Sequence, residues 1–247
     1  KQIPMAFALI STATKLSLEL PWRFLHFLVT LWFLFEDIIN TIKNVIASSG
    51  LLPRFRNLDL TNLRYLAVVV ESEQARDSSK VVQLLQWLVN IGLKHVSLYD
   101  MEGELKKSKE VILKNCNAKL WEEANEKNPV VDHSQITLEF LSVSDGKEAV
   151  TKAANYLIKN LESSKSGHKR PAITESDVSD ALKAIGCGGP EPDLLLIFAP
   201  VRCHLGFPAW RMRYTELVHM GSLESLRYGA VLRVIRRFTM VHQNYGT

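Results

Sequence analysis

The pattern of apolar and polar residues divides the chain near residue 50. Before that point lie two stretches without a formal charge, residues 2–14 and residues 24–35. Glu19, Pro21 and Arg23 stand between the two stretches. Each stretch alone is therefore shorter than the roughly 20 apolar residues that a helix needs to cross a bilayer.

We expect the first segment, residues 1–50, to associate with a membrane. Residues 24–35 could cross the bilayer with the help of Ile38 and Ile39, or lie in the interface with their aromatic side chains at headgroup depth. A buried amphipathic helix of the soluble domain is the alternative interpretation. Basic residues precede and follow the segment, so its orientation is not decided by charge.

From residue 64 onward, short apolar runs of strand type alternate with helical patterns. The runs are rich in β-branched or aliphatic residues and are bounded by polar or turn residues, as in strands buried on both faces of a parallel sheet. Four strands are predicted, at residues 65–70, 95–99, 136–143 and 193–198.

Residues between and after these strands repeat apolar positions at helical spacing. Capping residues and glycines bound several of the patterns. The predicted helices cover residues 77–91, 104–125, 145–161, 174–186 and 222–240. Because helices of ten or more residues separate the strands, the fold class is α/β, a parallel sheet flanked by helices over residues 58–247.

Composition excludes several classes of protein. The 247 residues are 47% hydrophobic and 23% charged, which is typical of a globular chain and not of a disordered one. The formal net charge of +4 is too small to indicate a nucleic-acid partner. Three cysteines, few and odd in number, predict reduced thiols and no disulfide framework.

No local motif predicts catalysis or a metal site. The glycine-rich turn at residues 186–189 precedes a strand and does not link a strand to a helix, so we interpret it as a turn and not as a phosphate loop. Cys203 and His204 are adjacent, but no second ligand pair lies at zinc-site spacing. A nucleophile-elbow serine is also lacking in the sequence.

Arginines concentrate at the carboxyl end. Residues 200–247 contain seven arginines and two glutamates, and no lysine or aspartate. Arginine suits bidentate contact with carboxylates and phosphates. One interpretation is a solvated helix face at Arg233, Arg236 and Arg237; the other is a surface for an anionic ligand or an acidic partner near this end.

Three segments carry a resemblance to a known family. They are RYLAVVVES at residues 64–72, PDLLLIFAPVRCHLGFPAWRMRYTEL at residues 192–217, and the terminal QNYGT. Together they resemble the accessory, Nogo-B receptor-like subunit of cis-prenyltransferase, and their sequence is most similar to that of plant members. The resemblance covers roughly residues 60–247 and is densest over the last 55.

The resemblance implies an undecaprenyl-diphosphate-synthase-like fold and a catalytic cis-prenyltransferase partner, in a heterodimer or larger complex. Such a complex adds isopentenyl diphosphate units to an allylic diphosphate and makes dehydrodolichyl diphosphate for dolichol biosynthesis and protein glycosylation. It further implies a place at the endoplasmic reticulum membrane with the globular domain facing the cytosol. Mg²⁺ would be bound mainly by the partner, and the accessory chain alone would be inactive.

The resemblance also implies a degenerate first diphosphate site. Catalytic relatives carry Asp-Gly-Asn-Arg-Arg after the first strand, whereas this chain reads Glu71, Ser72, Glu73, Gln74 and Ala75. The substitution leaves two carboxylates and no cation, which would repel a diphosphate.

The second diphosphate site is degenerate in the same way. The positions that carry the relatives' charged residues fall on residues 197–201 and 203–206, which are apolar or neutral, and Arg202 lies one place off. Residues 71–73 are therefore predicted to be a degenerate site, and the chain is predicted to have no catalytic residue of its own.

The extreme carboxyl terminus is where the family places an Arg-x-Gly motif that completes the partner's active site at isopentenyl diphosphate. The matching residues are Asn244, Tyr245 and Gly246, so the glycine is present and the arginine is not. We expect Gly246 and neighbouring backbone amides to contact the phosphate, with Asn244 orienting it. A frayed terminus is the alternative.

The fold family also implies a dimer contact around residues 207–216. We predict Phe207, Trp210, Arg213 and Glu216 as interface residues, since Trp and Arg are typical interface anchors; Phe207 and Trp210 could instead belong to the core. The alternative function is a membrane-anchored receptor or scaffold without a role in catalysis. A variant of the first function is assembly on rubber particles with a partner that makes long cis-polyisoprene.

Overall fold

The computed structural model describes residues 3–49, 58–121, 135–163 and 172–241, with side chains from residue 19 onward. Six parallel strands form one sheet in the order β3-β4-β2-β1-β5-β6. They are β1 (Tyr65–Val70), β2 (His95–Tyr99), β3 (Lys119–Leu120), β4 (Thr137–Leu141), β5 (Leu194–Phe198) and β6 (Glu216–Gly221). The predicted parallel sheet is confirmed.

The helices in these ranges are α1 (Ile3–Ser48), α2 (Ser72–Ala75), α3 (Ser78–Ile91), α4 (Glu104–Lys107), α5 (Lys109–Cys116), α6 (Lys147–Ser163), α7 (Glu175–Ala184) and α8 (Tyr228–Met240). The predicted caps at the starts of α3 and α7 are confirmed. Asp77 accepts a hydrogen bond from the Ser79 amide at the start of α3, and Thr174 forms a capping box with Asp177 at the start of α7.

The four predicted strands are all present, and β1, β2 and β5 are buried on both faces. In β1, every residue from Leu66 to Val70 is buried, and β1 pairs with β2 on one side and β5 on the other. The strand predicted at residues 136–143 is shorter than expected. It ends at Leu141 because Ser142 and Asp145 form a capping box around the short 3₁₀ turn Val143–Asp145.

The prediction of one helix over residues 104–125 is wrong. The helix is interrupted at Ser108 and ends at Asn117, whose φ of 48° is in the left-handed region that ends helices. Lys119 and Leu120 then pair with β4 as the edge strand β3. Residues 122–125 lie outside the described residues.

Strand β6 was not predicted. Its signal is a weak alternation: Val218 and Met220 pack against the main core, while Leu217 is exposed. Such a pattern is typical of an edge strand with one covered face. The final helix also starts later than predicted, at Tyr228, since Ser222 caps a short 3₁₀ turn first.

The core lies on both faces of the sheet. The larger cluster packs α3, α5 and α8 against one face. On the other face a smaller cluster includes Val69, Tyr99, Leu195 and Phe207. A third cluster joins α6 to α7 through small and aliphatic side chains, and Trp210 packs against it.

The N-terminal helix is continuous through Pro21, whereas the sequence suggested two separate short runs. Its apolar side chains between residues 20 and 35 are exposed on every side, with Trp32 at 63%. The stretch Glu19–Ser48 is long and apolar enough to cross a membrane, and none of its most apolar window is buried. The alternative of a helix buried in the soluble domain is therefore wrong.

Among the described residues, the last turns of α1 contact the globular part of the chain. They pack on α8, where Gly229 allows the two helices to approach closely. A Cβ atom at Gly229 would lie 2.0 Å from the backbone oxygen of Asn44, so no larger residue fits without moving a helix. The side chain of Arg227 adds a hydrogen bond of 2.8 Å to Thr41. This contact holds the exposed helix against the globular part.

Candidate functional site

The carboxyl edge of the parallel sheet is the expected position of a ligand site in this class of fold. Strand β1 ends at Val70, so Glu71 stands at this edge, and its amide donates to the Phe198 oxygen at the end of β5. Strand β2 ends one residue before Asp100. The structure therefore brings the predicted degenerate site together with the buried carboxylate of Asp100.

Ser72 is part of a buried hydrogen-bond cluster with Asp100. Its hydroxyl donates to Asp100 Oδ2 over 3.3 Å and accepts from the Glu102 amide over 3.1 Å. Asp100 is fully buried and accepts from the amides of Glu104 and Leu105 at 2.8 and 2.9 Å. Sequence reasoning missed Asp100, although a carboxylate between a buried strand and a helix start is a recognisable capping signal.

The side chains beside Ser72 line an acidic cavity of about 430 Å³. Its charged residues are Glu71, Glu73, Asp77, Glu224 and one cation, Lys80. Four carboxylates against one ammonium give this edge a negative potential. A diphosphate placed here would be repelled, since Lys80 is the one basic side chain among the residues that line the cavity.

Gln74 organises the cavity instead of binding a ligand. Its amide nitrogen donates to Glu71 Oε2 over 2.9 Å, and its oxygen accepts from Ser222 and from the Leu223 amide. The loop after β1 is thereby tied to the turn after β6. These bonds explain why the cavity has a defined wall although its residues come from distant parts of the chain.

Metal ligands do not converge in the described part of the chain. No group of three His, Cys, Asp or Glu side chains there could hold an ion. Glu71 and Glu73 alone do not form a cation site, so the residues at this edge do not fit Mg²⁺. The Mg²⁺ expected on the partner subunit stays a prediction.

The segment predicted to be the second degenerate site is held by uncharged contacts. Ile197, Phe198 and Ala199 are buried, and the Ala199 oxygen lies 2.6 Å from Nε2 of His219. The Tyr99 hydroxyl donates to the Leu205 oxygen over 2.9 Å.

Burial, together with Asp100 and Asp145, raises the pKa of Tyr99 to about 12, so the phenol stays neutral and keeps donating this bond at physiological pH. This segment thus serves packing.

The four predicted interface residues lie in different environments. Phe207 is 1% exposed and packs edge-on against Tyr99, so within this chain it is a core residue. Trp210 is half-buried against the α6–α7 cluster. Arg213 is exposed and forms an ion pair with Glu175, and Glu216 is half-buried at the start of β6. Contact of any of them with a partner stays a prediction.

One buried ion pair near this region was missed by sequence reasoning. Arg211 is 2% exposed, and its guanidinium forms two parallel bonds to the carboxylate of Glu139 in β4, of 2.9 and 2.7 Å. Arg211 also donates to the Pro190 oxygen. Gly189 leaves room for the pair, because a Cβ atom there would lie 2.3 Å from Glu139 Oε1. The pair ties the loop before β6 to β4.

The three cysteines are free; Cys203 is exposed, whereas Cys116 and Cys187 are half-buried. Burial raises the pKa of the Cys116 thiol to about 11. The predicted tail residues Asn244, Tyr245 and Gly246 lie outside the described residues.

Comparison with solved structures shows the same fold in prenyl diphosphate synthases. Lavandulyl diphosphate synthase from Lavandula x intermedia, in complex with dimethylallyl diphosphate, matches with a TM-score of 0.53 at 12% identity; the match covers 76% of this chain and all of that one. A probable undecaprenyl diphosphate synthase from Campylobacter jejuni matches with a TM-score of 0.50 at 18% identity over 74% of this chain and 98% of that one. The predicted undecaprenyl-diphosphate-synthase-like fold is confirmed.

Comparison with curated proteins finds subunits of one complex, whereas no family model matches the chain. Dehydrodolichyl diphosphate synthase complex subunit NUS1 of Homo sapiens is 27% identical over 206 residues, which is 77% of this chain and 69% of that protein. The Mus musculus subunit is 27% identical over 78% of this chain and 71% of its own length. The Saccharomyces cerevisiae subunit is 28% identical, over 69% of this chain and 52% of its own length.

These relatives confirm the resemblance to accessory subunits that the sequence motifs indicated. They come from animals and fungi, so the likeness to plant members in particular stays a prediction.

Proposed function

We propose that this chain is the non-catalytic subunit of a dehydrodolichyl diphosphate synthase complex. It tethers and activates a catalytic cis-prenyltransferase that condenses isopentenyl diphosphate units. The proposal rests on the contrast between the fold of the chain and the charge at the ligand edge of its sheet. The chain has the fold of diphosphate-using synthases, yet the ligand edge of its sheet is lined by Glu71, Glu73, Asp77 and Glu224. A chain whose ligand edge repels diphosphates would need another subunit to bind these substrates and catalyse their condensation.

Two exposed apolar features support a partner surface. Strand β6 ends the sheet, and Leu217 on it is 51% exposed. An unpaired strand edge with an apolar side chain is a typical site for association. On α6, the exposed residues Val150, Ala154, Ile158 and Leu161 follow one another at helical spacing and form a stripe.

The two features belong to neighbouring parts of the fold. Trp210, just before β6, packs against the cluster that joins α6 to α7. Arg213, three residues before β6, pairs with Glu175 at the start of α7. A partner that covers β6 is therefore expected to reach α6 or α7 as well, and to bring Trp210, Arg213 and Glu216 to the interface.

Charge placed in this surface should weaken pairing. We expect Leu217→Asp to weaken binding of the catalytic subunit by about tenfold or more, because burial of an unpaired carboxylate is unfavourable. Val111→Asp on α5, where the valine is 53% exposed, is the matched control and should pair normally. Co-purification of the tagged catalytic subunit with each full-length variant measures the effect. Equal recovery with both variants would show that β6 is not the contact.

Attachment to a membrane follows from α1. Its exposed aromatic and aliphatic side chains have no covering partner among the described residues, and a bilayer would cover them. We place the chain at the endoplasmic reticulum with the globular part facing the cytosol, where its soluble partner and the diphosphate substrates would meet. Extraction of microsomes at alkaline pH measures this attachment directly.

Activity of the complex is the decisive measurement. We expect a candidate catalytic subunit co-expressed with this chain in microsomes to incorporate isopentenyl diphosphate at least about tenfold faster than the catalytic subunit alone. This chain alone should show no turnover with isopentenyl and farnesyl diphosphates, because its own diphosphate sites are acidic or apolar. Turnover by this chain alone would contradict the proposal. An unchanged rate with normal pairing would favour the receptor or scaffold function instead.

A further inference from the structure

A second cavity lies between α1 and α8, away from the carboxyl edge of β1. Its volume is about 480 Å³. The last turns of α1 contribute Asp37, Thr41 and Asn44. The region of α8 contributes three arginines, Arg227, Arg233 and Arg237. These belong to the arginine-rich end of the chain, whose role the proposed function leaves open.

The charges of this cavity are unbalanced. Three guanidinium groups face one carboxylate, that of Asp37. Within the described ranges none of the three arginines forms an ion pair; the arginine ion pairs there involve other positions. Arg227 donates to the neutral hydroxyl of Thr41. The cavity therefore has the positive potential that attracts an anion.

Arg233 indicates where in the cavity an anion would bind. Its Nε atom is buried and has no hydrogen-bond partner, although Arg233 is in contact with the cavity. Burial lowers the pKa of Arg233, which means that the charged form lacks the stabilisation it would have in water. Arginine nevertheless stays protonated in proteins. An anion in the cavity would supply the countercharge that the Arg233 guanidinium lacks, so a plain solvated helix face does not account for this residue.

The cavity also offers a polar group besides the arginines. Asn44 Oδ1 is buried without a partner and belongs to a residue of the same cavity. An amide accepts a bond from a hydroxyl or water. The lining thus suits an anion that carries hydroxyl groups or a hydration shell, rather than a bare apolar ligand.

The position of the cavity along α1 indicates where the anion comes from. The uncharged run of α1 ends at Phe35, and the first cavity residue is Asp37, although Ile38, Ile42 and Val45 farther along are also exposed. At about 1.5 Å per residue, Thr41 lies only about 9 Å beyond Phe35 along the helix. If Phe35 is at the hydrocarbon boundary, the cavity is at the depth of the lipid headgroups.

We propose that the cavity between α1 and α8 binds the phosphate group of an anionic membrane lipid, with Arg227, Arg233 and Arg237 as its ligands. Guanidinium groups bind phosphate oxygens in pairs and more strongly than neutral donors do. A lipid bound there would fix the globular part at one height and orientation against the bilayer. The conclusion that the phosphate belongs to a lipid depends on the membrane attachment proposed above. The phosphate site itself does not depend on that attachment.

The test uses the full chain purified in a neutral detergent, with thermal unfolding as the measurement. The probes are dioctanoyl phosphatidic acid, dioctanoyl phosphatidylcholine and inorganic phosphate. A ligand at about 100 times its Kd is expected to raise Tm by about 5 °C in a chain of this size. We expect that rise with phosphatidic acid, and little change with phosphatidylcholine or inorganic phosphate.

Two single substitutions on α8 locate the effect. Arg233→Gln should abolish most of the rise, while its Tm without ligand should equal or exceed that of the parent chain, because the removed charge is half-buried and has no ion-pair partner among the described residues. Arg236→Gln removes the same charge from the same helix at a position outside the cavity lining, so it should keep the rise. Arg237→Gln provides a second cavity variant should Arg233→Gln unfold.

Three results would overturn the proposal. A rise in Tm of equal size with inorganic phosphate would show that the site binds free phosphate and does not select a lipid. An equal rise with phosphatidylcholine would show that no anionic ligand is selected. If Tm does not rise, or if it rises equally in the Arg233→Gln and Arg237→Gln variants, the cavity does not bind the anion. Alkaline extraction of microsomes reports on membrane attachment separately, so failure of the attachment and failure of the site are distinguishable.

Discussion

Replacing Arg211 by methionine is expected to lower the free energy of unfolding by about 3–5 kcal/mol, more than any other single change considered for this chain. The reason is the carboxylate left behind. Glu139 is in the middle of β4 and receives both of its charge-assisted bonds from Arg211. Without the guanidinium the Glu139 carboxylate, whose side chain is 16% exposed, would keep the Ser97 hydroxyl as its one side-chain donor among the described residues.

A pair of controls separates this mechanism from a general effect of losing an arginine. Arg213→Met removes an arginine two residues away whose ion pair with Glu175 is exposed, so its effect should be within experimental error. The double variant Arg211→Met with Glu139→Leu should be less destabilised than Arg211→Met alone, because no buried charge remains.

Urea unfolding of the detergent-solubilised chains, followed by tryptophan fluorescence, gives the comparison. Additive losses in the double variant would show that Arg211 and Glu139 do not stabilise each other.

Deleting residues 244–247 is expected to reduce turnover of the assembled complex on the order of 100-fold, as loss of a phosphate or oxyanion donor does in other enzymes. The proposed reason is that Gly246 and nearby backbone amides contact the partner's isopentenyl diphosphate, with Asn244 orienting them. The six residues after Val241 can extend at most about 20 Å. Arg237 of α8 and Glu216–Val218 of β6 line one cavity, so the tail leaves from beside the proposed partner surface.

Further variants divide the effect among the tail residues. Gly246→Val should approach the effect of the deletion, since a side chain would keep the backbone away from the phosphate. Asn244→Ala should cost less, and Thr247→Ala should be neutral. Turnover and co-purification are measured together. Normal turnover after the deletion would reject the tail model, and lost pairing would assign the tail a structural role.

Local sequence patterns determined much of the fold. Strands β1, β2 and β5 were predictable because they are buried on both faces and therefore have few or no polar residues. The starts of α3 and α7 were predictable because their capping bonds join residues two or three positions apart. The prediction failed where a single residue decided the outcome, as at Asn117, and where β6 has only one covered face.

Sequence motifs likewise indicated the resemblance to accessory subunits, at residues 64–72 and 192–217, and the curated relatives confirm that resemblance. It also located the substitutions at residues 71–74. The acidic cavity that these substitutions help to form could not be predicted from the local sequence. It includes Glu224, which lies beside Glu71 only because of the order of the strands in the sheet.

The tertiary structure alone decided which distant residues meet. The bond between Arg211 and Glu139 joins residues 72 positions apart, and the contact of Gly229 with Asn44 joins the two ends of the chain. No periodicity encodes such pairs, since they arise only when the sheet order and the helix packing bring their elements together. The amino-acid sequence supplied the charges at the carboxyl end; the packing of α8 on α1 gathered three of them around one cavity.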